Sequence, residues 1–359
     1  MLHVSSLPGP HGVGDLGSGA RTFADFLHRA HQRWWQFLPI NPAGEGNSPY
    51  SGSSAFAGDP TYISLEDLVE SGLLRSDELP AAMGAERSSY GPAREVRTRA
   101  LNIAFERFVP GREYERFIRD SLGWLPDFAL YQALRAQHGA RWADWPLALR
   151  TREPEALAAA RAEHATAIAR TMFEQFVFAQ QWARLRLYCG ERGIGLIGDI
   201  PIFVAHDSAD VWANQELFTV GEDGELVCVS GVPPDFFSKT GQRWGTPLYR
   251  WKRMKRAGYA WWIDRIALLL ERFDAVRLDH FIGFSRYWRV DASESTAEHG
   301  RWMRGPRDDL FHALRARFGD LPFIAEDLGE VTADVRRLRD AFDLPGMRIF
   351  QFSFGTDLQ

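Results

Sequence analysis

The pattern of apolar and polar positions predicts short buried strands that alternate with helices. The strand candidates are brief apolar runs bounded by turn residues, and they lie at residues 2–4, 34–39, 194–203, 275–279, 323–326 and 347–354. Between them, apolar side chains recur at helical spacing, as Phe178, Trp182, Leu185 and Cys189 do. Strands that alternate with helices are typical of βαβ units around a parallel sheet.

Two long segments depart from this alternation. Residues 65–170 are rich in Glu, Arg and Ala, which favours helices, and residues 204–250 combine Pro, Gly, Asp and aromatic residues without a clear long element. We therefore predict first barrel strands and a substrate loop over residues 1–64, and a helical insertion over 65–170. Further barrel units follow over 171–359, with a long active-site loop at 204–250.

The spacing of the strand candidates favours an α/β fold of the TIM (β/α)8 barrel type with helical insertions. A barrel uses roughly 31 residues per unit, so the 47 residues from Asp279 to Glu326 fit one unit with an insertion. The barrel is expected to be incomplete in this chain, with about six of the eight strands. A doubly wound sheet is the alternative, because residues 12–17 match G-x-G-x-x-G. Pro8 and Pro10 precede them, and we interpret the segment as a turn-rich loop.

Composition narrows the candidate partners. With 42 basic and 47 acidic side chains and a formal charge of −5, the chain gives no reason to expect nucleic acid or an anionic membrane. Cys189 and Cys228 are the only cysteines, so a reducing cytoplasm is expected. No signal peptide and no membrane-spanning run is recognised. The 13 Trp and 25 Phe suit either an aromatic core or stacking on sugar rings.

Two carboxylates close two of the apolar runs. Asp279 and Glu326 are expected at the C-terminal ends of their strands, where barrels place active-site residues. Arg277 shares a strand face with Asp279, so we expect a lowered pKa for Asp279, which suits a nucleophile. Apolar neighbours should raise the pKa of Glu326, as an acid needs. The alternative is a structural Arg–Asp pair and a helix-capping Glu. The matched positions in consecutive units favour catalysis, since retaining glycosidases hold two carboxyls about 5–5.5 Å apart.

Other candidate residues leave two interpretations open. Asp199 ends another strand and either binds a sugar hydroxyl or caps the next segment. Tyr50, in the loop at residues 47–58, either stacks on a sugar or anchors its turn. The loop at residues 231–245 carries Phe236, Phe237 and Trp244, which serve either as a glucan-stacking lid or as anchors to the body of the protein.

The histidines show no metal-ligand spacing. They are His206, His280, His299 and His312 among others. We expect His280 to hydrogen-bond a substrate or to support Asp279.

Several motifs carry a family resemblance. They are SPY at residues 48–50, GDIPIFVA at 198–205, DSADVW at 207–212, GVPPD at 231–235 and GQRWG at 241–245. On these motifs the chain resembles the amylomaltases, the 4-α-glucanotransferases of glycoside hydrolase family 77. The resemblance covers nearly the whole chain and is weakest in the helical insertion.

The resemblance implies a mechanism and a set of site residues. It implies that Asp279 is the nucleophile and Glu326 the acid/base in retaining transfer of an α-1,4-glucan segment to the 4-hydroxyl of an acceptor. The glucan contacts that it implies are Tyr50, Asp199, Asp235, Trp244, Arg277 and His280. It also implies a cytoplasmic enzyme without cofactor or metal that acts on maltodextrin, or on glucans derived from starch or glycogen.

The resemblance also predicts that the chain is a fragment. The family carries a third essential aspartate in a later strand-end motif, which is expected beyond Gln359, and the start looks clipped. We therefore expect little or no transferase activity from these residues alone. An α-amylase-type hydrolase and an inactive glucan-binding protein are the competing interpretations.

Overall fold

The fold is a mixed α/β arrangement with two sheets, seen in a computed structural model that describes residues 1–83, 87–236, 238–329 and 331–350. The strands are β1 (Trp34–Gln36), β2 (Gly195–Pro201), β3 (Cys228–Val232), β4 (Gln242–Pro247), β5 (Ala275–Asp279), β6 (Arg286–Asp291), β7 (Gly300–Arg304) and β8 (Phe323–Ala325). The helices are α1 (Ser18–Arg29), α2 (Leu65–Glu70), α3 (Tyr90–Arg107), α4 (Arg112–Asp120), α5 (Leu125–His138), α6 (Leu147–Arg150), α7 (Pro154–Glu163), α8 (Ala165–Gly190), α9 (Ala209–Ala213), α10 (Trp251–Arg256), α11 (Ala260–Arg272), α12 (Ile282–Ser285), α13 (Asp308–Phe318) and α14 (Ala333–Ala341). Single turns of 3-10 helix lie at Val4–Ser6, Glu45–Asn47, Pro49–Ser51, Pro60–Tyr62, Ser76–Glu78, Trp142–Asp144 and Gln215–Leu217.

The first sheet is parallel and has the strand order β1-β2-β5-β8. Its strands coincide with four of the predicted apolar runs, because their alternate side chains are buried in the core. Leu196, Val276, Leu278 and Phe323 are each at most 2% exposed. A helix follows or precedes each of these strands, as a parallel sheet requires.

The other two strand candidates are not strands in the described residues, so the parallel sheet has four strands here and not six. Val4 begins a 3-10 turn, and Leu2 lies beside β1, where its N–H donates to Gln36 O and its oxygen accepts from Trp35 Nε1. In the run at residues 347–354, the described part forms no strand: Gly346, just before it, makes one isolated parallel bridge to Ala325, and the Met347 N–H then donates to the side chain of Asp327. Residues 351–354 lie outside the described residues.

The second sheet is antiparallel, with the order β4-β3-β6-β7, and it corrects the interpretation of residues 204–250 as a loop. That segment contains α9, β3 and β4. Strand β4 is not recognisable from the sequence because its first residues are exposed and polar. Strand β3 is not recognisable because Gly231 interrupts the pattern of side chains. Gly231 is needed there, since an added Cβ would lie 2.4 Å from the backbone oxygen of Gln242.

Residues 65–170 are largely helical, and they run from α2 into α8. The alanine-rich stretch forms two helices, α7 and α8, that meet at His164. The predicted boundary at residue 170 falls inside α8, which packs against both α5 and β2. The division into three parts remains a prediction.

Two features bear on cellular setting. Cys189 and Cys228 are free and buried. Among the described residues, no helix combines the length and the apolar character that crossing a membrane requires.

Candidate active site

The C-terminal ends of β2, β5 and β8 bring the predicted carboxylates together. Asp199 is in register with Arg277, and Leu278 is in register with Ala325. Asp279 and Glu326 are the next residues along those two paired strands. Because neighbouring strands lie about 4.8 Å apart, their carboxyl groups start from adjacent positions at one edge of the sheet.

Arg277 links two of these carboxylates. Its Nη1 donates to Asp199 Oδ1 at 2.7 Å, and its Nη2 lies 2.7 Å from Asp279 Oδ1. The second oxygen of Asp199 accepts a hydrogen bond from the Tyr50 hydroxyl at 2.6 Å. Asp199 is only 3% exposed, so its charge is balanced inside the protein by these two partners. Asp199 therefore fixes Arg277 and Tyr50, while its contact with a substrate remains a prediction.

The electrostatics of Asp279 differ from the expectation. Burial raises the pKa of the Asp279 carboxyl, and this effect outweighs the lowering by the Arg277 guanidinium and by the hydrogen bond from His280. The prediction of a lowered pKa was wrong, because the sequence shows a neighbouring charge but not the depth of burial. Arg277 therefore favours the ionised form of Asp279 and opposes the effect of burial.

Glu326 confirms the expectation of a raised pKa. Burial is the main cause and the negative charge of Asp279 is the second, and together they raise the pKa of Glu326 to about 7. Its Oε2 accepts a hydrogen bond from His280 N at 2.8 Å, and its Oε1 accepts one from Leu328 N at 3.3 Å. A carboxyl that is poised near neutrality is suited to both donate and accept a proton.

His280 connects the carboxylates to the antiparallel sheet. Its φ of +52° is in the left-handed region, an uncommon conformation that tends to occur at functional sites. Burial lowers the pKa of its ring to about 4, so the imidazole is neutral at pH 7. The Trp244 ring meets it edge-on, with 4.8 Å between ring centroids. Within the described residues His280 Nε2 is buried without a hydrogen-bond partner, and can therefore serve a bound molecule.

The structure brings most of the predicted site residues together, with one exception. Tyr50 and Trp244 are joined to the carboxylate group through Asp199 and His280. Asp235 is exposed in the turn between β3 and β4, where its Oδ1 accepts a hydrogen bond from Ser238 N. Its glucan contact remains a prediction. Phe236 is 96% exposed, and Phe237 lies outside the described residues.

Sequence reasoning missed two kinds of contact. The backbone N–H groups that hold Glu326 carry no sequence signal, because any residue except proline supplies one. Met347 was missed as well: its Sδ accepts a hydrogen bond from Arg277 Nε at 3.3 Å. A thioether is a weak acceptor without a recognisable motif.

A cavity of about 830 Å³ lies next to the site. Trp244 is in its wall together with Ser51, Asp207 and Thr246, whereas Asp199, Asp279 and Glu326 are not. In the part of the chain that the structure describes, no group of three His, Cys, Asp or Glu side chains is arranged to hold a metal ion. The chemistry that this site offers is that of two carboxylates with different surroundings.

Comparison with known proteins agrees with this geometry. The family model described as 4-alpha-glucanotransferase matches residues 2–359. The 4-alpha-glucanotransferase of Thermus thermophilus is 46% identical over 100% of this chain and 73% of its own length, and that of Aquifex aeolicus is 44% identical over 99% and 73%. The structure of Streptococcus agalactiae amylomaltase in complex with acarbose is similar with a TM-score of 0.94 at 35% identity, over 98% of this chain and 73% of that one.

These similarities define the class as a carbohydrate-processing enzyme. The chain belongs to the 4-alpha-glucanotransferase family.

Proposed function

We propose that this chain transfers a segment of an α-1,4-glucan to the 4-hydroxyl of an acceptor glucan or glucose, by a retaining double displacement and at the low rate expected of these residues alone. The observation that carries the proposal is the pair Asp279 and Glu326, which follow in-register residues of neighbouring strands. Their adjacency matches the short carboxyl separation that a retaining mechanism requires. Their environments match two different roles, because Arg277 touches Asp279 and Glu326 is poised near pH 7.

In the first step, Glu326 donates its proton to the glycosidic oxygen that leaves. An Asp279 oxygen attacks the anomeric carbon, the bond from that carbon to the leaving oxygen breaks, and a covalent glycosyl-enzyme forms. The leaving glucan carries away the proton, and Glu326 becomes a carboxylate.

In the second step, the Glu326 carboxylate takes the proton from the 4-hydroxyl of the acceptor. The oxygen of that hydroxyl attacks the anomeric carbon, the bond to Asp279 breaks, and both carboxyl groups return to their starting state. Transfer exceeds hydrolysis where acceptor glucan, held near Trp244, displaces water from the site.

The remaining residues position the glucan. Arg277 favours the ionised form of Asp279, and Asp199 with Tyr50 holds Arg277 in place. The neutral His280 offers its unpartnered Nε2 to a sugar hydroxyl, and Trp244 offers an aromatic face beside it. Asp235, on the exposed turn, contacts a more distant sugar.

The same proposal extends to fold and setting. We place the parallel strands in a (β/α)8-type barrel, with residues 65–170 as a helical insertion between the first strand and the later units. Maltodextrins and glucans derived from starch or glycogen are the partners, and no cofactor is required. The free, buried cysteines fit a reducing cytoplasm.

Product analysis tests the function directly. After incubation with maltotriose, a transferase yields glucose and longer maltodextrins with little net rise in reducing ends. A steady rise in reducing ends would identify a hydrolase and contradict transfer. Binding of maltotriose measured by calorimetry, without any product after long incubation, would identify a glucan-binding protein instead.

A further inference from the structure

The segment at residues 345–347, which has no role in the proposed mechanism, contacts Arg277 in the active site. Residues 345–347 lie beside the end of β8, where Ala325 N donates to Pro345 O at 2.8 Å and Ala325 pairs with Gly346 in a parallel bridge. The next residue is Met347, whose sulfur accepts from Arg277 Nε. The segment therefore spans the distance from β8 to the centre of the site.

The side chain of Asp327 binds the backbone of this segment. It is 3% exposed, its Oδ2 pairs with Arg339 Nη1 at 2.5 Å, and its Oδ1 accepts from Met347 N at 2.9 Å. A buried carboxylate with both oxygens engaged is held firmly. Asp327 follows Glu326 directly, but the two carboxyls have different partners. Glu326 lies beside Asp279 in the proposed active site, while Asp327 binds the segment at residues 345–347.

Gly346 shows how closely the segment fits. A Cβ added to Gly346 would lie 2.6 Å from Asp327 Oδ2 and 2.7 Å from its Oδ1, which is too close for any side chain. The backbone therefore approaches the carboxylate as near as glycine alone allows. Any larger residue forces either the segment or the Asp327 carboxylate to shift, and either movement disturbs the hydrogen bond that holds Met347 N.

Arg277 is the point at which the contacts converge. All three guanidinium nitrogens have partners: Asp199 at Nη1, Asp279 at Nη2 and Met347 at Nε. The guanidinium is planar, so a third contact along its remaining edge stops rotation of the plane. Without Met347, the plane can turn away from Asp279 while still touching Asp199.

We propose that Asp327 and Met347 are positioning residues that hold the Arg277 guanidinium in the plane in which it pairs with Asp279. The inference rests on the proposed function only for its importance to catalysis. The positioning itself is a property of the folded chain and can be measured without turnover.

The test is the titration of the Asp279 carboxyl in Met347→Leu, followed by ¹³C NMR and assigned with Asp279→Asn. Leucine keeps the volume and removes the sulfur acceptor. We expect the midpoint to rise by roughly 0.5 to 1 pH unit, the size of one hydrogen bond's influence. The variant leaves unaltered the other titratable groups that face Asp279, namely Glu326 and Asp199 with its partner Tyr50, so the shift reports on Arg277.

Second variants keep the result interpretable. Gly346→Ala should also raise the Asp279 midpoint. In the double variant Gly346→Ala/Met347→Leu, the midpoint should rise no further than in the more strongly affected single variant, because both substitutions act through one contact. Met303→Leu, the same substitution on β7, and Asp340→Asn, which removes the exposed partner of Arg339, should leave the midpoint unchanged.

An unchanged Asp279 midpoint in a folded Met347→Leu chain would overturn the proposal. A lower melting temperature beside that unchanged midpoint would identify Met347 as a packing residue only. Absence of glucan transfer by the unaltered chain would contradict the proposed function and would leave this comparison of titrations intact.

Discussion

The two sheets carry the same residue type at the same position and treat it in opposite ways. Asp279 ends β5 of the parallel sheet, and Asp291 ends β6 of the antiparallel sheet. Burial raises the pKa of Asp279, whereas hydrogen bonds from the Ser293 side chain and backbone lower the pKa of the exposed Asp291. A position at the end of a strand does not by itself raise the pKa of a carboxyl. Burial does, and Asp279 combines it with a paired cation and a second carboxyl, Glu326, close by.

Replacing the two aspartates should break the comparison most strongly. Asp279→Asn removes the proposed nucleophile, so glycosyl transfer should fall by at least on the order of 10⁴-fold. Asp291→Asn should leave it unchanged. The measurement is fluoride release from α-maltosyl fluoride, whose leaving group needs little protonation and which therefore reports the first step even where natural glucans react slowly. Equal rates for the two variants would refute the role given to Asp279.

The arginines of the two sheets should differ next. Arg277→Gln leaves the carboxylates of Asp199 and Asp279 without their cation. The loss should lower the free energy of unfolding by about 3–5 kcal/mol and slow fluoride release by about 10²-fold. Arg301→Gln, on the exposed face of β7, should change neither quantity. Thermal unfolding and initial rates measure both effects. A variant as stable and as active as the unaltered chain would show that the Arg277 ion pairs are incidental.

The pH dependence of glucan transfer should follow the two carboxyls at the end of the parallel sheet, Glu326 and Asp279. Glu326 has to be protonated to act as an acid, and its pKa is about 7. For maltotriose, kcat/KM should therefore fall roughly tenfold per pH unit above that value. Asp279 has to be ionised, and since its pKa is raised, activity should be lost on acidification earlier than for an exposed aspartate.

A matched substrate separates the two limbs of this profile. With α-maltosyl fluoride the acid is not needed, so the alkaline fall in the first step should weaken while the acidic fall remains. An alkaline fall of equal steepness for both donors would argue against Glu326 as the proton donor.

The smallest expected effect concerns two tryptophans that are both 37% exposed. Trp244 meets His280, whereas Trp302 packs on Trp288 and under Arg286. Trp244→Ala should weaken maltotriose binding by roughly threefold to tenfold, the range of one aromatic contact, and should increase the share of hydrolysis. Trp302→Ala should leave calorimetric affinity unchanged. Weaker maltotriose binding by Trp302→Ala than by Trp244→Ala would instead place the glucan contact at β7, on the opposite edge of the antiparallel sheet from β4.

The same contrast explains what the sequence could predict. Strand β5 was predicted at its observed bounds, and Asp279 and Glu326 were predicted at the strand ends where they lie, because buried parallel strands give continuous apolar runs that stop at polar residues. Strands β3 and β4 were missed, since partly exposed antiparallel strands with glycines give no such run.

Other features depend on three-dimensional packing. The direction of the Asp279 pKa follows from the depth of burial, which a single sequence does not show. The contact of Met347 with Arg277 joins residues 70 positions apart through a weak acceptor, and no residue pattern marks it.

The central claim is that Asp279 forms a covalent bond to sugar while Glu326 handles the proton. It is tested most directly by mass spectrometry of Glu326→Gln after exposure to α-maltosyl fluoride. Fluoride leaves without an acid, but release of the sugar from the enzyme needs the missing base, so a maltosyl adduct should accumulate on the peptide that contains Asp279. The double variant Asp279→Asn/Glu326→Gln should carry none. An adduct on another residue, or fluoride release without any adduct, would contradict the account.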